Sequence, residues 1–235
     1  MAAYGSAAYW EERYRLDSSS FDWYTGYGGL RSLLTSSISR DARVLHVGCG
    51  TSSLAELMRD DGYTSLLNVD SSRHAIEAMR ARAGEREGFL WEVVDAVAMP
   101  YDAGAFDAVI DKGTLDALLC GEDSTKRAER MCKEVRLKRK SMLERADVRS
   151  TTTRTHEHAR PAQIRRVLSP GGVFLLVSHG APGLRLCFLS TLLLDWTVEH
   201  KELPKPVLSK RDTGEGGDAP TDGMHHVYIC RCPGA

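Results

Sequence analysis

Residues 44–54 read Val44-Leu45-His46-Val47-Gly48-Cys49-Gly50-Thr51-Ser52-Ser53-Leu54, and this stretch decides the fold. An apolar, partly β-branched run ends in two glycines one residue apart, and apolar residues then recur at helical spacing. The pattern predicts a buried strand that turns sharply into a helix. The two glycines allow the backbone to approach a ligand closely, because no Cβ intervenes. In open α/β sheets such a turn lies at the carboxyl ends of the strands, where nucleotide-like ligands bind.

A second predicted strand, 65–70, ends in an acid and restricts the class of ligand. Asp70 follows the glycine turn at the spacing at which a carboxylate accepts hydrogen bonds from a ribose diol. Both NAD and S-adenosylmethionine contain such a diol. A dinucleotide fingerprint requires a third glycine, and this chain has Ser53 at that position. The pattern therefore favours S-adenosylmethionine over NAD.

Two further strands are predicted at 89–95 and 106–112, and each ends in polar residues. Asp95 is either a turn residue or an acceptor for the exocyclic amine of adenine. Asp111 and Lys112 end the next strand and are the candidates for contact with the reacting end of the ligand or substrate. Additional strands are predicted at 173–178, about 191–200 and 224–232, with a turn at 169–172 and a mobile loop over 203–223.

The size and composition of the chain indicate one domain over residues 1–235. The chain has 235 residues, 42% of them hydrophobic, and a formal net charge of −1, so neither nucleic acid nor an anionic membrane is a predicted partner. No apolar run reaches the length of a membrane span, and the N-terminus lacks the pattern of a signal peptide. The six cysteines are scattered, which predicts free thiols in a reducing compartment, the cytoplasm, and no metal site.

Two segments leave alternatives open. Predicted helices within 6–39 place Trp10, Arg13 and Tyr14 on one face. They are either core cover or a lid whose aromatic rings close over a positive sulfonium. Residues 121–160 form a predicted basic helical insertion, which is either a solvated face or a platform for an acidic protein or RNA.

Several motifs resemble those of the class I S-adenosylmethionine-dependent methyltransferases. They are Val-Leu-His-Val-Gly-Cys-Gly at 44–50, Asn-Val-Asp at 68–70, Val-Val-Asp at 93–95, Phe-Asp-Ala-Val-Ile-Asp-Lys-Gly-Thr-Leu-Asp-Ala-Leu at 106–118 and Val-Leu-Ser-Pro-Gly-Gly at 167–172. More narrowly, the aromatic segments 9–14 and 21–24 and the motif Asp-Lys-Gly-Thr-Leu-Asp at 111–116 resemble one subgroup. It comprises the methyltransferase-like proteins that include the eukaryotic lysine methyltransferases of translation elongation factor 1-alpha.

This resemblance implies an α/β fold with a Rossmann-like seven-stranded sheet, parallel except for the last strand, and helices on both faces. It also implies contacts with S-adenosylmethionine. These come from Trp10, Tyr14 and Trp23 closing over the cofactor, Gly48 and Gly50 at the turn, Asp70 at the ribose, Ser71, Asp95 and Ala96 at the adenine, and Lys112 after the fourth strand.

Three features depart from the family pattern. Many class I enzymes have an acid where this chain has His46, and the subgroup usually has Asn in place of Thr51. The insertion after Cys120 is also longer than the subgroup pattern implies, and it falls where substrate-selecting elements of this fold lie.

The implied activity is that of an S-adenosylmethionine-dependent methyltransferase (EC 2.1.1.-) acting on a protein lysine, with elongation factor 1-alpha as the candidate acceptor. A lysine ammonium, with a pKa of about 10.4, has to lose a proton before it reacts, and Asp111 is the candidate to accept or orient that proton. The alternatives are a small-molecule methyltransferase and a non-catalytic scaffold that binds the cofactor. The sequence leaves the oligomeric state open.

Overall fold

The computed structural model describes residues 3–85, 87–121, 123–132, 163–190, 195–205 and 223–234. Within those ranges seven strands form one sheet. The strands are β1 (Arg43–Val47), β2 (Ser65–Asp70), β3 (Phe89–Val93), β4 (Phe106–Lys112), β5 (Leu168–Ser178), β6 (Thr197–Pro204) and β7 (Met224–Arg231).

The strand order is β3-β2-β1-β4-β5-β7-β6. Strands β3, β2, β1, β4 and β5 pair in parallel. Strand β7 is antiparallel to both of its neighbours, β5 and β6. The predicted α/β class is confirmed, and the antiparallel strand is the last one in the chain.

Eight helices lie within the described ranges. They are α1 (Ala7–Leu16), α2 (Tyr27–Ser37), α3 (Leu54–Asp60), α4 (Arg73–Ala83), α5 (Thr114–Leu118), α6 (Ser124–Cys132), α7 (Gln163–Val167) and α8 (Pro182–Leu189). Alternate strand residues point to opposite faces of the sheet, and the two faces carry separate hydrophobic clusters. Helices α2 to α4 contribute to the cluster that contains Val44 and Ile110. Helices α5 to α8 contribute to the cluster that contains Leu45 and Val109.

Local sequence determines where helix α4 begins and ends. The Ser72 hydroxyl accepts a hydrogen bond from the Ala75 backbone N–H at 3.2 Å and caps the helix. Gly84 ends the helix with a φ of 66°, a conformation that glycine adopts without steric cost. Because Ser72 is the cap, helix α4 begins only three residues after Asp70, at the carboxyl end of β2.

The structure corrects several predicted boundaries. Strand β5 already begins at Leu168, so 169–172 is not a separate turn, and β6 covers Thr197–Pro204 rather than about 191–200. Residues 191–194 lie outside the described residues, as does most of the predicted mobile loop, 206–222.

Two predicted segments divide differently in the structure. The predicted lid, 6–39, includes helix α2. This helix packs on the sheet through Leu30 and Leu34 and therefore belongs to the hydrophobic core. The predicted insertion, 121–160, begins with helix α6, whose Ala128 and Met131 are fully buried in the core. Residues 133–160 of the insertion lie outside the described residues. Of the helices that are described, none combines the length and apolar character needed to cross a membrane.

Two leucine variants test the packing. Leu45 in β1 is completely buried, whereas Leu90 in β3 is 56% exposed. We expect Leu45→Ala to lower the free energy of unfolding by about 2–5 kcal/mol, because it leaves a cavity in the core. We expect Leu90→Ala to change it by no more than about 0.5 kcal/mol. Urea denaturation of both variants measures the difference, and equal losses would contradict the packing described here.

Candidate functional site

A cleft of about 640 Å³ opens at the carboxyl ends of β1, β2 and β4. The strand order reverses between β1 and β4, which is where open α/β sheets bind ligands. The lining residues are Tyr4, Gly5, Ala7, Trp10, Tyr14, Trp23, Gly48, Asp70, Ser71, Val94, Asp95, Ala96, Lys112, Gly113, Thr114, Ala117, Leu118 and Arg127.

The glycine turn after β1 forms the floor of this cleft at Gly48. Gly48 has a φ of 62°, and a Cβ placed there would come within 1.9 Å of the Thr114 Oγ1. That hydroxyl is fixed, since it donates to the Val47 carbonyl oxygen at 2.9 Å. Both the conformation and the space therefore require glycine at position 48.

The Asp70 carboxylate joins the glycine turn to helix α4. One oxygen accepts the Gly50 backbone N–H and the other accepts the Ser72 backbone N–H, each at 2.9 Å. Burial raises the pKa of Asp70, and these backbone hydrogen bonds oppose that rise. Each carboxylate oxygen can accept a further hydrogen bond, and Asp70 lines the cleft.

Strand β3 adds a second acid at the same edge. Asp95 accepts the Val97 backbone N–H at 3.0 Å, as a turn residue does, and it also lines the cleft. The two interpretations of Asp95 from sequence are therefore compatible. Ser71 and Ala96 line the cleft beside it.

Aromatic rings from the N-terminal segment form another wall. Trp10 stacks between Tyr4 and Tyr14, at ring-centroid distances of 5.7 and 5.9 Å, and meets Trp23 edge-on at 6.1 Å. Helix α1 is held to α4 by Glu11, which accepts from the Ser72 hydroxyl at 2.5 Å and lies 2.8 Å from the His74 Nδ1. Helix α1 and the segment around Trp23 therefore contribute aromatic rings to one wall of the cleft. That these rings close over a ligand stays a prediction.

An ion pair between buried Lys112 and half-buried Asp22 fixes the segment that carries Trp23. The Lys112 Nζ lies 2.9 Å from the Asp22 Oδ1 and donates to the Trp23 carbonyl oxygen at 3.2 Å. Asp22 also accepts from the hydroxyls of Ser52 and Ser53. Burial lowers the pKa of Lys112 and would raise that of Asp22, but Lys112 and the serines hold the pKa of Asp22 below its usual value.

Asp111 occupies the start of helix α5 rather than the cleft wall. Its two oxygens accept the backbone N–H groups of Thr114 and Leu115 at 2.7 and 3.0 Å. Burial, with a further contribution from nearby Asp116, raises the pKa of Asp111 to about 7. The carboxyl is fully buried and is not among the cleft residues, so its position gives no support to the predicted proton-accepting role.

Position 46 is one of the departures from the family pattern. The His46 ring is buried on β1. Burial, reinforced by the charge of Lys112, lowers the pKa of His46 to about 4, so the ring is neutral near pH 7. Because the His46 ring is neutral, it does not compete with Asp22 for the charge of Lys112.

The cleft brings together every predicted cofactor-binding residue except Gly50. Gly50 has a φ of 51° and faces the Tyr14 hydroxyl, so its contribution is the N–H that it donates to Asp70. Tyr4, Thr114 and Arg127 also line the cleft and were not predicted from the sequence. Arg127 belongs to the predicted insertion and donates to the Gly5 carbonyl oxygen, a contact between residues far apart in sequence that no local pattern indicates.

The cysteines and histidines of the last strands do not contribute to the cleft. Cys230 and Cys232 are buried in a hydrophobic cluster. Among the described residues, His200, Glu202 and His226 form a group whose potential metal-ligand atoms lie within 4.8 Å of one another. No sequence motif indicates this group, which arises because β6 and β7 pair Glu202 with His226. The His200 Nε2 and His226 Nδ1 are 3.0 Å apart, a distance that a hydrogen bond between the rings explains.

Comparison with known proteins identifies the class to which this site belongs. A family model described as a methyltransferase domain matches residues 38–214, and the chain belongs to that family. S-adenosylmethionine is its cofactor. The chemistry of the cleft fits this ligand, because Asp70 retains acceptor capacity for a ribose diol, Gly48 leaves space for close approach, and aromatic rings attract a positive sulfonium.

Several relatives in sequence are named as methyltransferases of eEF1A. Bovine EEF1A lysine methyltransferase 4 is 30% identical over 199 residues, and the mouse protein is 28% identical over the same length. Each match covers 84% of this chain and 70% of the relative. Zebrafish eEF1A lysine and N-terminal methyltransferase is 39% identical over 134 residues, which is 56% of this chain and 19% of that larger protein.

Solved structures share the fold at low sequence identity. A SAM-dependent methyltransferase from Methanosarcina mazei superposes with a TM-score of 0.55 at 15% identity, covering 92% of this chain and all of that one. The N-methyltransferase NodS from Bradyrhizobium japonicum, solved in complex with S-adenosyl-L-homocysteine, superposes with a TM-score of 0.54 at 15% identity, covering 95% of this chain and 98% of that one.

A pair of glycine variants tests the floor of the cleft. Gly48→Ala places a methyl group against Thr114 at a positive φ, and we expect binding of S-adenosylhomocysteine to fall at least tenfold. Gly28→Ala, in helix α2, meets no atom within 4 Å. We expect unchanged binding in Gly28→Ala and a stability equal to or up to about 1 kcal/mol above that of the wild type. Calorimetry measures the affinity of both variants for S-adenosylhomocysteine. Equal affinities would contradict the assignment of Gly48 to the floor of the cleft.

A lysine variant tests the ion pair behind Trp23. Lys112→Met leaves the Asp22 carboxylate without its cation, and we expect the free energy of unfolding to fall by about 1–3 kcal/mol, with weaker binding of S-adenosylhomocysteine. Lys126→Met removes an exposed pair with Asp123 and serves as the matched control. Adding Asp22→Leu to Lys112→Met is expected to restore part of the lost stability, because no buried charge is then unpaired. Additive losses in the double variant would contradict the coupling.

Proposed function

We propose that the chain transfers a methyl group from S-adenosylmethionine to a lysine side chain of a protein, and that elongation factor 1-alpha is the acceptor. The observation that carries this proposal is the bovine relative named EEF1A lysine methyltransferase 4, whose match spans 84% of this chain. The cysteines at positions 49, 120, 187, 230 and 232 are free thiols, which supports a cytoplasmic location, where thiols stay reduced.

The cofactor contacts that we propose follow from the cleft. Asp70 holds the ribose hydroxyls, Ser71, Asp95 and Ala96 contact the adenine, and the Gly48 turn lies under the methionine part. Trp10, Tyr14 and Trp23 cover the cofactor from the N-terminal side. All of these residues line the same cleft, and the backbone hydrogen bonds to Asp70 fix its carboxylate before any ligand binds.

S-adenosylmethionine supplies an electrophilic methyl group on a positive sulfur. The task of the protein in such a displacement is to align the two reactants and to exclude water. We propose that Lys112 contributes by holding Asp22 and the Trp23 backbone in place. For Asp111 we propose a positioning role, since both of its oxygens cap helix α5.

The acceptor is tested with purified protein, S-adenosylmethionine and unmethylated elongation factor 1-alpha, followed by mass spectrometry of its peptides. We expect methylation of a lysine. We expect Asp70→Asn to lower the rate about 10–100-fold, because an amide replaces one oxygen that accepts a backbone N–H and the loss of such a hydrogen bond costs about 1.5–3 kcal/mol. Asp102→Asn, in an exposed turn, is the matched control and should retain the wild-type rate.

A second experiment, in which the protein is incubated with labelled S-adenosylmethionine and a cell extract, distinguishes the alternatives. Label that enters only a low-mass fraction of a cell extract would identify a small-molecule methyltransferase. Binding of S-adenosylhomocysteine without transfer to any acceptor in the extract would identify a cofactor-binding scaffold. Either outcome would overturn the proposed function and leave the cofactor assignment intact.

A further inference from the structure

His179 lies immediately after β5, beside the end of β4 where the cleft begins. The Gly113 backbone N–H donates to the Val177 carbonyl oxygen at 3.1 Å, which joins the two strand ends. Gly113 lines the cleft, and the Tyr24 ring covers it closely enough that a Cβ at Gly113 would be 3.2 Å from the ring. The Tyr24 hydroxyl is in turn 3.2 Å from the His179 Nδ1. One aromatic ring therefore connects the imidazole to the wall of the cleft.

The carboxylate of Asp116 orients this imidazole. One oxygen lies 2.9 Å from the His179 Nδ1, and it also accepts the His179 backbone N–H at 3.0 Å and the Tyr24 hydroxyl at 2.6 Å. The other oxygen accepts from the Ser178 hydroxyl at 2.6 Å and from the Arg185 guanidinium at 2.7 Å. Burial would raise the pKa of Asp116, but these donors hold it well below its usual value, so Asp116 stays ionised.

This contact determines which ring nitrogen of His179 is free. An ionised carboxylate can only accept, so the Nδ1 carries the hydrogen and donates it to Asp116. In the neutral ring the lone pair is then on Nε2, on the side away from Asp116. The His179 side chain is 58% exposed, whereas that of Asp116 is 5% exposed. A histidine oriented by a buried carboxylate, with an accessible lone pair, is an arrangement that general bases use.

We propose that His179 accepts the proton that the substrate ammonium loses before methyl transfer. This proposal rests on the proposed function, because a protein lysine is the substrate that carries such a proton. The N–H bond of the ammonium breaks, its electron pair remains on the amine nitrogen, and the proton moves to the Nε2 of His179. The amine then forms the N–CH3 bond as the S–CH3 bond breaks, and that electron pair remains on the sulfur of the thioether.

Neighbouring groups are less suited to this role. The Asp111 oxygens accept two backbone N–H groups inside the protein, and the Lys112 ammonium pairs with Asp22. The Tyr24 hydroxyl donates to Asp116, and burial with that nearby charge raises the pKa of Tyr24 far above its ordinary value. His225 packs against the Tyr24 ring but is buried.

The charges around His179 set the direction of its pH dependence. The hydrogen bond to Asp116 raises the pKa of His179, and burial and two cations oppose this rise. The titratable groups that face the ring are Tyr24, Asp116, Arg185, Lys205, His225 and His226. A base works only when it is deprotonated, so the rate should increase as the pH rises through a pKa above the ordinary histidine value of about 6.5.

The test is the pH–rate profile of the full chain with S-adenosylmethionine and elongation factor 1-alpha. We expect His179→Gln to lower kcat at pH 7 about 100-fold or more, with little change in KM or in S-adenosylhomocysteine affinity. The deficit should shrink as the pH rises, because the amine then loses its proton without assistance. His200→Gln, on β6 and paired with His226, is the matched control and should keep the wild-type profile.

A second measurement does not depend on the acceptor. Nitrogen-15 NMR of labelled protein should show neutral His179 protonated on Nδ1, and Asp116→Asn should lower the pKa of the ring. A wild-type rate and profile in His179→Gln, or a neutral ring protonated on Nε2, would overturn the proposal. If wild-type protein fails to methylate elongation factor 1-alpha, the proposed acceptor is wrong, and the NMR result then decides the orientation of His179.

Discussion

The buried carboxylate of Asp70 is the constraint on which the cleft depends. A carboxylate removed from water has to be hydrogen-bonded, because each unpaired oxygen would cost free energy. Here the partners are the Gly50 and Ser72 backbone N–H groups. These two contacts fix the conformation of the turn after β1 and the start of α4 relative to each other. The glycine turn, the acid and the helix N-terminus therefore form one rigid unit at the carboxyl edge of the sheet.

The motif at 111–116 performs a comparable task for the other side of the cleft. Asp111 caps α5, Lys112 pairs with Asp22, Thr114 holds the Val47 carbonyl oxygen, and Asp116 binds the Tyr24 hydroxyl. Two of these contacts reach the N-terminal segment, which has no strand of its own to position it. The motif thus connects the central strands to the aromatic wall, which accounts physically for its density of polar residues.

Much of the fold was predictable because it depends on local pattern. Strands β1, β2 and β4 are apolar runs that end in polar residues or glycines. The cap of α4 is a hydrogen bond between Ser72 and Ala75, which are only three residues apart. The position of Asp70 at the end of β2 was also predicted from the sequence. Boundaries failed where tertiary pairing prevailed, as at β5, which β4 extends back to Leu168 through a register shift.

The contacts that sequence reasoning missed join residues far apart in the chain. Asp22 meets Lys112, Glu11 meets Ser72, and Asp116 meets His179. Each partner alone is an ordinary polar residue on a helix, strand or loop, and nothing in its neighbours indicates the other. The position of Asp111 was also not predicted. An acid at the end of a strand was expected to face a ligand, but the carboxylate of Asp111 accepts hydrogen bonds from the backbone N–H groups of the next helix.

The most direct test of the central claim is a crystal structure of the chain with S-adenosylhomocysteine. The thioether should occupy the cleft, with its ribose hydroxyls on Asp70, its adenine beside Asp95 and the rings of Trp10 and Trp23 over it. Clear density for the thioether at any other place, or a cleft closed by its own side chains at saturating ligand, would contradict the assignment.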